Sequence, residues 1–142
     1  MMKISGRKTG KLAFQINQNG HEYTLDAPKE SGGDNSGPSP KGLLLSGLIG
    51  CTGIDVALIL DKMRVTCEDI EITAETDLTE GEPSVFTDIV LTYAVQGNPE
   101  DAKKIKRAVS LSMDKYCGVS AMLEKHSRII PKIILNGSPL EI

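Results

Sequence analysis

The sequence predicts an α+β fold, and three observations predict it. Residues 43–60 form an eighteen-residue apolar stretch whose only charge is Asp55, long enough for one central helix. Segments before and after it alternate apolar and polar residues with the period of two that marks half-exposed strands. A helical period returns after Asn98 and gives way to a β-branched run at 128–135. The order is strands, helix, two strands, helix, strand, which sets antiparallel sheets around a long buried central helix.

At 142 residues the chain is expected to form a single domain, 1–142. Aromatic residues are 4% and tryptophan is missing, so Leu, Ile, Val, Met and Ala must fill the core. So thin a core beside so long an apolar stretch implies that some apolar surface is buried between subunits. A net charge of -3 with 25% charged residues shows no basic excess that would recruit nucleic acid. Met1 to Lys11 lacks the apolar segment of a secretory leader, so the expected location is the cytoplasm.

In order, Met2 to Ser5 reads as a strand, Gly6 to Gly10 as a turn, and Lys11 to Asn17 as a strand with Leu12, Phe14 and Ile16 facing inward. Asn19-Gly20 is a hairpin signal leading into His21 to Asp26. From Ala27 onward the chain is dense in Gly, Pro, Ser and Asp and reads as a loop of about fifteen residues, a length that tends to be functional or mobile. Ser39 is the candidate N-cap and Pro40 the first residue of a helix reaching about Met63. Apolar residues surround this helix, so it should be buried on most sides; Asp55 and four glycines between 42 and 53 argue against a membrane span. Val65 to Leu78 is a strand with Ile70, Ile72 and Ala74 inward, Thr79 to Pro83 a turn, and Ser84 to Gln96 its partner. Asn98-Pro99 opens a second helix with a core stripe of Ala102, Ile105, Ala108, Val109 and Met113. The chain breaks at Tyr116 to Gly118, makes a short helix over Val119 to His126, and continues as a strand from Arg128 to Leu135. Asn136-Gly137 then turns it into a last short strand.

Three cysteines, 16 and 50 residues apart, form no Cys-x-x-Cys pair, and a reducing compartment would leave them as thiols. Cys51, between Gly50 and Thr52-Gly53, is either a space-filling thiol or a nucleophile. Asp55, one turn on, would oppose a thiolate if ionised, so an active Cys51 needs a cation from elsewhere. Cys117 lies at the break before a helix, whose free N–H groups favour a thiolate, and reads on that ground alone as either a reactive thiol or a structural filler. Cys67 starts a strand out of phase with Ile70 and Ile72 and reads as structural. His126 follows Cys117 by nine residues, but no zinc-ligand spacing supports a metal site, and no cofactor is indicated.

Gly37 to Val56, containing Gly50-Cys51-Thr52-Gly53, and Lys115 to Leu123, containing Tyr116-Cys117-Gly118, together resemble the OsmC/Ohr family of thiol peroxidases, within it the OsmC-like, YhfA-related group. The resemblance runs from the first strands to the last. It implies an OsmC-like fold, an intertwined homodimer with active sites at the subunit interface, and reduction of organic hydroperoxides. Cys51 is then the peroxidatic thiol and Cys117 the resolving one, with a dithiol or lipoyl-type reductant closing the cycle. Arg7, after Gly6, corresponds to the family's activating arginine. The family's glutamate, nine or ten residues before the first cysteine, is replaced by Gly42 and Lys41. That departure keeps a second reading open, a dimer of the same fold that binds a small ligand without turnover.

Overall fold

The computed structural model describes residues 1–142 and divides into two compact units, Met1–Ser46 and Gly47–Ile142, the division falling inside one helix. In the first unit β1 (Ile4–Lys8), β2 (Phe14–Gln18) and β3 (His21–Leu25) form an antiparallel sheet in that order. Asn19 and Gly20 turn the β2–β3 hairpin at φ 53° and 86°, the paired left-handed conformations that Asn-Gly favours. The β1–β2 turn lies at Thr9 to Ala13, not at Gly6 to Gly10, because the ladder runs on until Lys8 pairs with Phe14. Gly6 is a strand residue that leaves room for a neighbour: a Cβ on it would come within 3.0 Å of Ile16 Cδ1. Leu12 and Phe14, expected inward, are 43% and 46% exposed, so the first unit does not cover the apolar face of its own sheet.

The loop after β3 is built around one carboxylate. Buried Asp26 accepts from the N–H groups of Ala27, Asp34 and Ser36 and from the Ser36 hydroxyl, at 2.7 to 3.2 Å. These bonds hold its carboxyl below the ordinary carboxylate range, the Ser36 hydroxyl first among them. Gly33 and Gly37 let the chain pass close by, since a Cβ on either would overlap the backbone carbonyl of Ala27 or Thr24.

Helix α1 spans Pro40–Lys62, starting at the expected proline. Its burial differs from expectation. Only Leu48, Thr52, Val56 and Leu60 are buried, one residue per turn along a single stripe, while Leu44, Ile54 and Leu58 are exposed. The helix is long and apolar enough to cross a bilayer, with a mean hydropathy of 2.1 over its most apolar window. Its Thr52 hydroxyl nevertheless bonds to side chains of the second unit, as a core helix would.

In the second unit β4 (Cys67–Leu78), β5 (Phe86–Gly97), β6 (Ile129–Leu135) and β7 (Ser138–Leu140) form one sheet in chain order. The β4–β5 and β6–β7 pairs are antiparallel as expected, but β5 and β6 run parallel. The reason is the connection: the helical segments between them return the chain to the end at which β5 began. Ile89, Leu91, Tyr93 and Val95 of β5 and Ile133 and Leu135 of β6 alternate into the core. After β5, Asn98 caps a 3-10 turn, Pro99–Asp101, by accepting from Glu100 N–H at 2.9 Å, and α2 (Ala102–Leu111) follows with Ile105, Ala108 and Val109 buried. A π-turn, Ser112–Tyr116, then leads to the short α3 (Gly118–Leu123).

Candidate active site

Cys51 and Asp55 sit four residues apart on α1 and so share a face. Cys117 reaches them from the junction between the π-turn and α3. The π-turn closes with a 2.8 Å bond from Cys117 N–H to Ser112 O, and the extra residue it accommodates sets the direction in which the chain leaves α2. The two sulfurs and an Asp55 carboxylate oxygen lie within 4.8 Å of one another. All three cysteines are free thiols.

Cys117 is buried, and at the start of α3 its sulfur accepts from Ser120 N–H at 3.4 Å while the Ser120 hydroxyl donates to Cys117 O. The thiolate character expected there is outweighed. Burial pushes the Cys117 thiol up, the Ser120 N–H opposes this, and the neighbouring Cys51 adds to the rise. A resolving thiol tolerates a raised pKa better than an attacking one.

Behind the thiols runs a buried chain of hydroxyls. Ser112 Oγ donates to Asp55 Oδ2 at 3.0 Å, Thr52 Oγ1 lies 2.8 Å from Ser112 Oγ, and Tyr93 Oη lies 2.7 Å from Thr52 Oγ1. Each hydroxyl has one proton, so Ser112's gift to Asp55 fixes the rest: Thr52 donates to Ser112 and Tyr93 donates to Thr52. Burial pushes the Tyr93 phenol up to about 12, with Thr52's bond opposing and the charges of Cys117 and Asp55 adding to the rise. No buried side-chain nitrogen or oxygen lacks a partner.

Sequence reasoning had noted Asp55 but not Thr52, Ser112 or Tyr93. The one available signal was Ser112, a hydroxyl on the core stripe of Ile105, Ala108 and Val109. Arg7 belongs to the first unit, an exposed residue of β1 opposite Gln15, and pairs with no carboxylate of that unit. Cys67 stands behind a bulge at the start of β4, apart from the cluster, its thiol pushed up by burial and then by Asp101 and Glu68. His126 is exposed and lies outside the cluster.

A family model described as OsmC-like protein matches residues 33–132, more than half of the chain. The chain belongs to the OsmC-like family. This OsmC-like chain is 39% identical over 106 residues to protein YhfA of Escherichia coli (strain K12), covering 75% of the chain and 76% of YhfA. Its fold matches a hypothetical protein from Aquifex aeolicus VF5 with a TM-score of 0.83 at 25% identity, over 96% of each chain. It also matches an organic hydroperoxide resistance protein OsmC, described as a predicted redox protein, from Legionella pneumophila. There the TM-score is 0.69 at 14% identity, over 94% of this chain and 96% of that one.

Proposed function

We propose that this OsmC-like protein is a cytoplasmic, cysteine-dependent reductase of organic hydroperoxides that works as a homodimer. The observation that carries the reading is that two thiols 66 residues apart in sequence meet within 4.8 Å. The Cys51 thiolate attacks the terminal oxygen of ROOH; the O–O bond breaks, Cys51 becomes a sulfenic acid, and the alkoxide leaves as ROH after taking a proton. The Cys117 thiol then condenses with the sulfenic acid, forming a disulfide and releasing water. A dithiol reductant returns both thiols and leaves as its own disulfide.

Cys51 is half-exposed and Cys117 buried, which fits attacking and resolving roles respectively. Beside the thiols a cleft of about 340 Å³, lined by Leu58, Ile59, Met63, Leu111 and Tyr116 with Asp55 among its walls, suits an alkyl chain better than water or hydrogen peroxide. Residues 41 and 42 bring no carboxylate, whereas Asp55 does so within reach of both sulfurs. Arg7 supplies the activating cation in this reading. The uncovered Leu44, Ile54 and Leu58 of α1 support burial against a second copy.

Consumption of cumene hydroperoxide with dihydrolipoamide is the test. Wild type should turn over, Cys51→Ser should not, and Cys117→Ser should accumulate a sulfenic acid that dimedone traps. No consumption by the reduced wild-type dimer would favour the non-catalytic, ligand-binding reading.

A further inference from the structure

We propose that the reduced protein binds one thiophilic divalent cation, of the Zn2+ type, through Cys51 Sγ, Cys117 Sγ and the Asp55 carboxylate. The donor set is one that such cations take: two sulfurs and one oxygen, leaving a fourth tetrahedral position to water. Their atoms already lie within 4.8 Å of one another. Zinc–sulfur and zinc–oxygen bonds of about 2.3 and 2.1 Å would place tetrahedral ligands roughly 3.5 to 3.8 Å apart. Side-chain rotation covers the difference, since Cys51 and Asp55 share one helix face and Cys117 stands at a chain junction.

Charge points the same way. Asp55 is half-buried, yet the one ion pair in its unit is Arg128 with Asp88. Lys62 lines the same cleft as Asp55 without forming an ion pair, and the Lys115 ammonium stands 5.2 Å over the Tyr116 ring. A half-buried carboxylate beside two thiols, in no ion pair within its own unit, gains by taking a cation. The hydroxyl chain completes the site. Ser112 holds Asp55, Thr52 holds Ser112 and buried Tyr93 holds Thr52, the outer support that keeps a ligating carboxylate in place.

Binding takes one proton from each thiol and needs no oxidant: two thiols and M2+ give a bis-thiolate complex and two protons. The disulfide has no thiolate to offer, so only the reduced form binds. A bound cation in turn withholds both thiols from peroxide. This reading stands apart from the peroxidase assignment, and its test does not use turnover.

The full-length reduced protein is titrated with Cd2+ alone, followed by the ultraviolet thiolate-to-metal charge-transfer band, equilibrium dialysis and proton release. One Cd2+ per chain and two protons are expected, with Zn2+ displacing the Cd2+. Asp55→Asn and Ser112→Ala should each weaken binding about tenfold or more, while Cys67→Ser leaves it unchanged. Saturating metal should also protect Cys51 and Cys117, but not Cys67, from iodoacetamide in wild type, a readout free of any folding defect in a variant. Absence of a saturable band, a band lost in Cys67→Ser, or equal alkylation with and without metal would overturn the proposal.

Discussion

Thr52→Val removes one hydroxyl from the middle of the buried chain and leaves the side-chain volume almost unchanged, so its effect reports hydrogen bonding rather than a cavity. Two bonds disappear, those to Tyr93 and to Ser112. Ser112 keeps its bond to Asp55. Tyr93, with no exposed surface, keeps a phenolic proton that has no acceptor, a cost of about 1–3 kcal/mol on top of about 1 kcal/mol for the lost bonds. A total of about 2–4 kcal/mol is expected. For 142 residues the unfolding entropy is about 0.3 kcal/mol per kelvin, so Tm should fall by roughly 7–13 °C. Thermal and urea unfolding at one fixed protein concentration measure this, since the Tm of the proposed dimer would depend on concentration. The double variant Thr52→Val/Tyr93→Phe removes the stranded donor and should be less destabilised than the sum of the singles by about 1 kcal/mol. Strict additivity, or a single-variant loss below about 0.5 kcal/mol, would refute the directed hydroxyl chain.

Three further outcomes follow from other parts of the chain. Asp26 has its carboxyl held below its unfolded value of 3.8, so the stability it contributes is present above that pH and is lost as pH falls through the lower folded value. Limited proteolysis within residues 26–38 should therefore quicken below about pH 4, and Asp26→Asn should be cut fast at neutral pH with that acid dependence gone. Gly33→Ala should open the same loop at any pH, because its Cβ would overlap the Ala27 carbonyl; unchanged amide exchange across the loop would contradict this. Ile54→Asp, at a position 64% exposed, should change the stability of an isolated chain by no more than about 0.5 kcal/mol but convert a dimer to monomers in sedimentation.

Local patterns made much of this fold readable. Ile70, Ile72 and Ala74 alternate on β4 as their spacing indicates, and Asn19-Gly20 and Asn136-Gly137 turn with the left-handed angles their identities favour. Arg7 fell in a supposed turn because Gly6 and Gly10 are ambiguous on their own; only the ladder with β2 decides that Gly6 is a strand residue facing Ile16. The parallel β5–β6 pair was hidden because strand direction depends on the return path of the chain, not on either strand. At the candidate site the two cysteines were legible from their neighbours in sequence. Thr52, Tyr93 and Ser112 were not, since each looks ordinary alone and they meet across separations of 41 and 60 residues. Asp26 was hidden likewise: its donors at Asp34 and Ser36 come from a loop with no period to read.

The long span of chain between Cys51 and Cys117 ties redox chemistry to folding. In an unfolded chain thiols 66 residues apart seldom meet, whereas the native fold holds them at a high effective concentration. A cross-link between them would remove about 4 kcal/mol worth of chain entropy from the unfolded ensemble. An oxidant that converts these thiols to a disulfide would thus make the fold harder to undo, and the reductant that restores them would return a less stable one. Conditions that threaten other proteins with oxidation would meet this one in its most durable form.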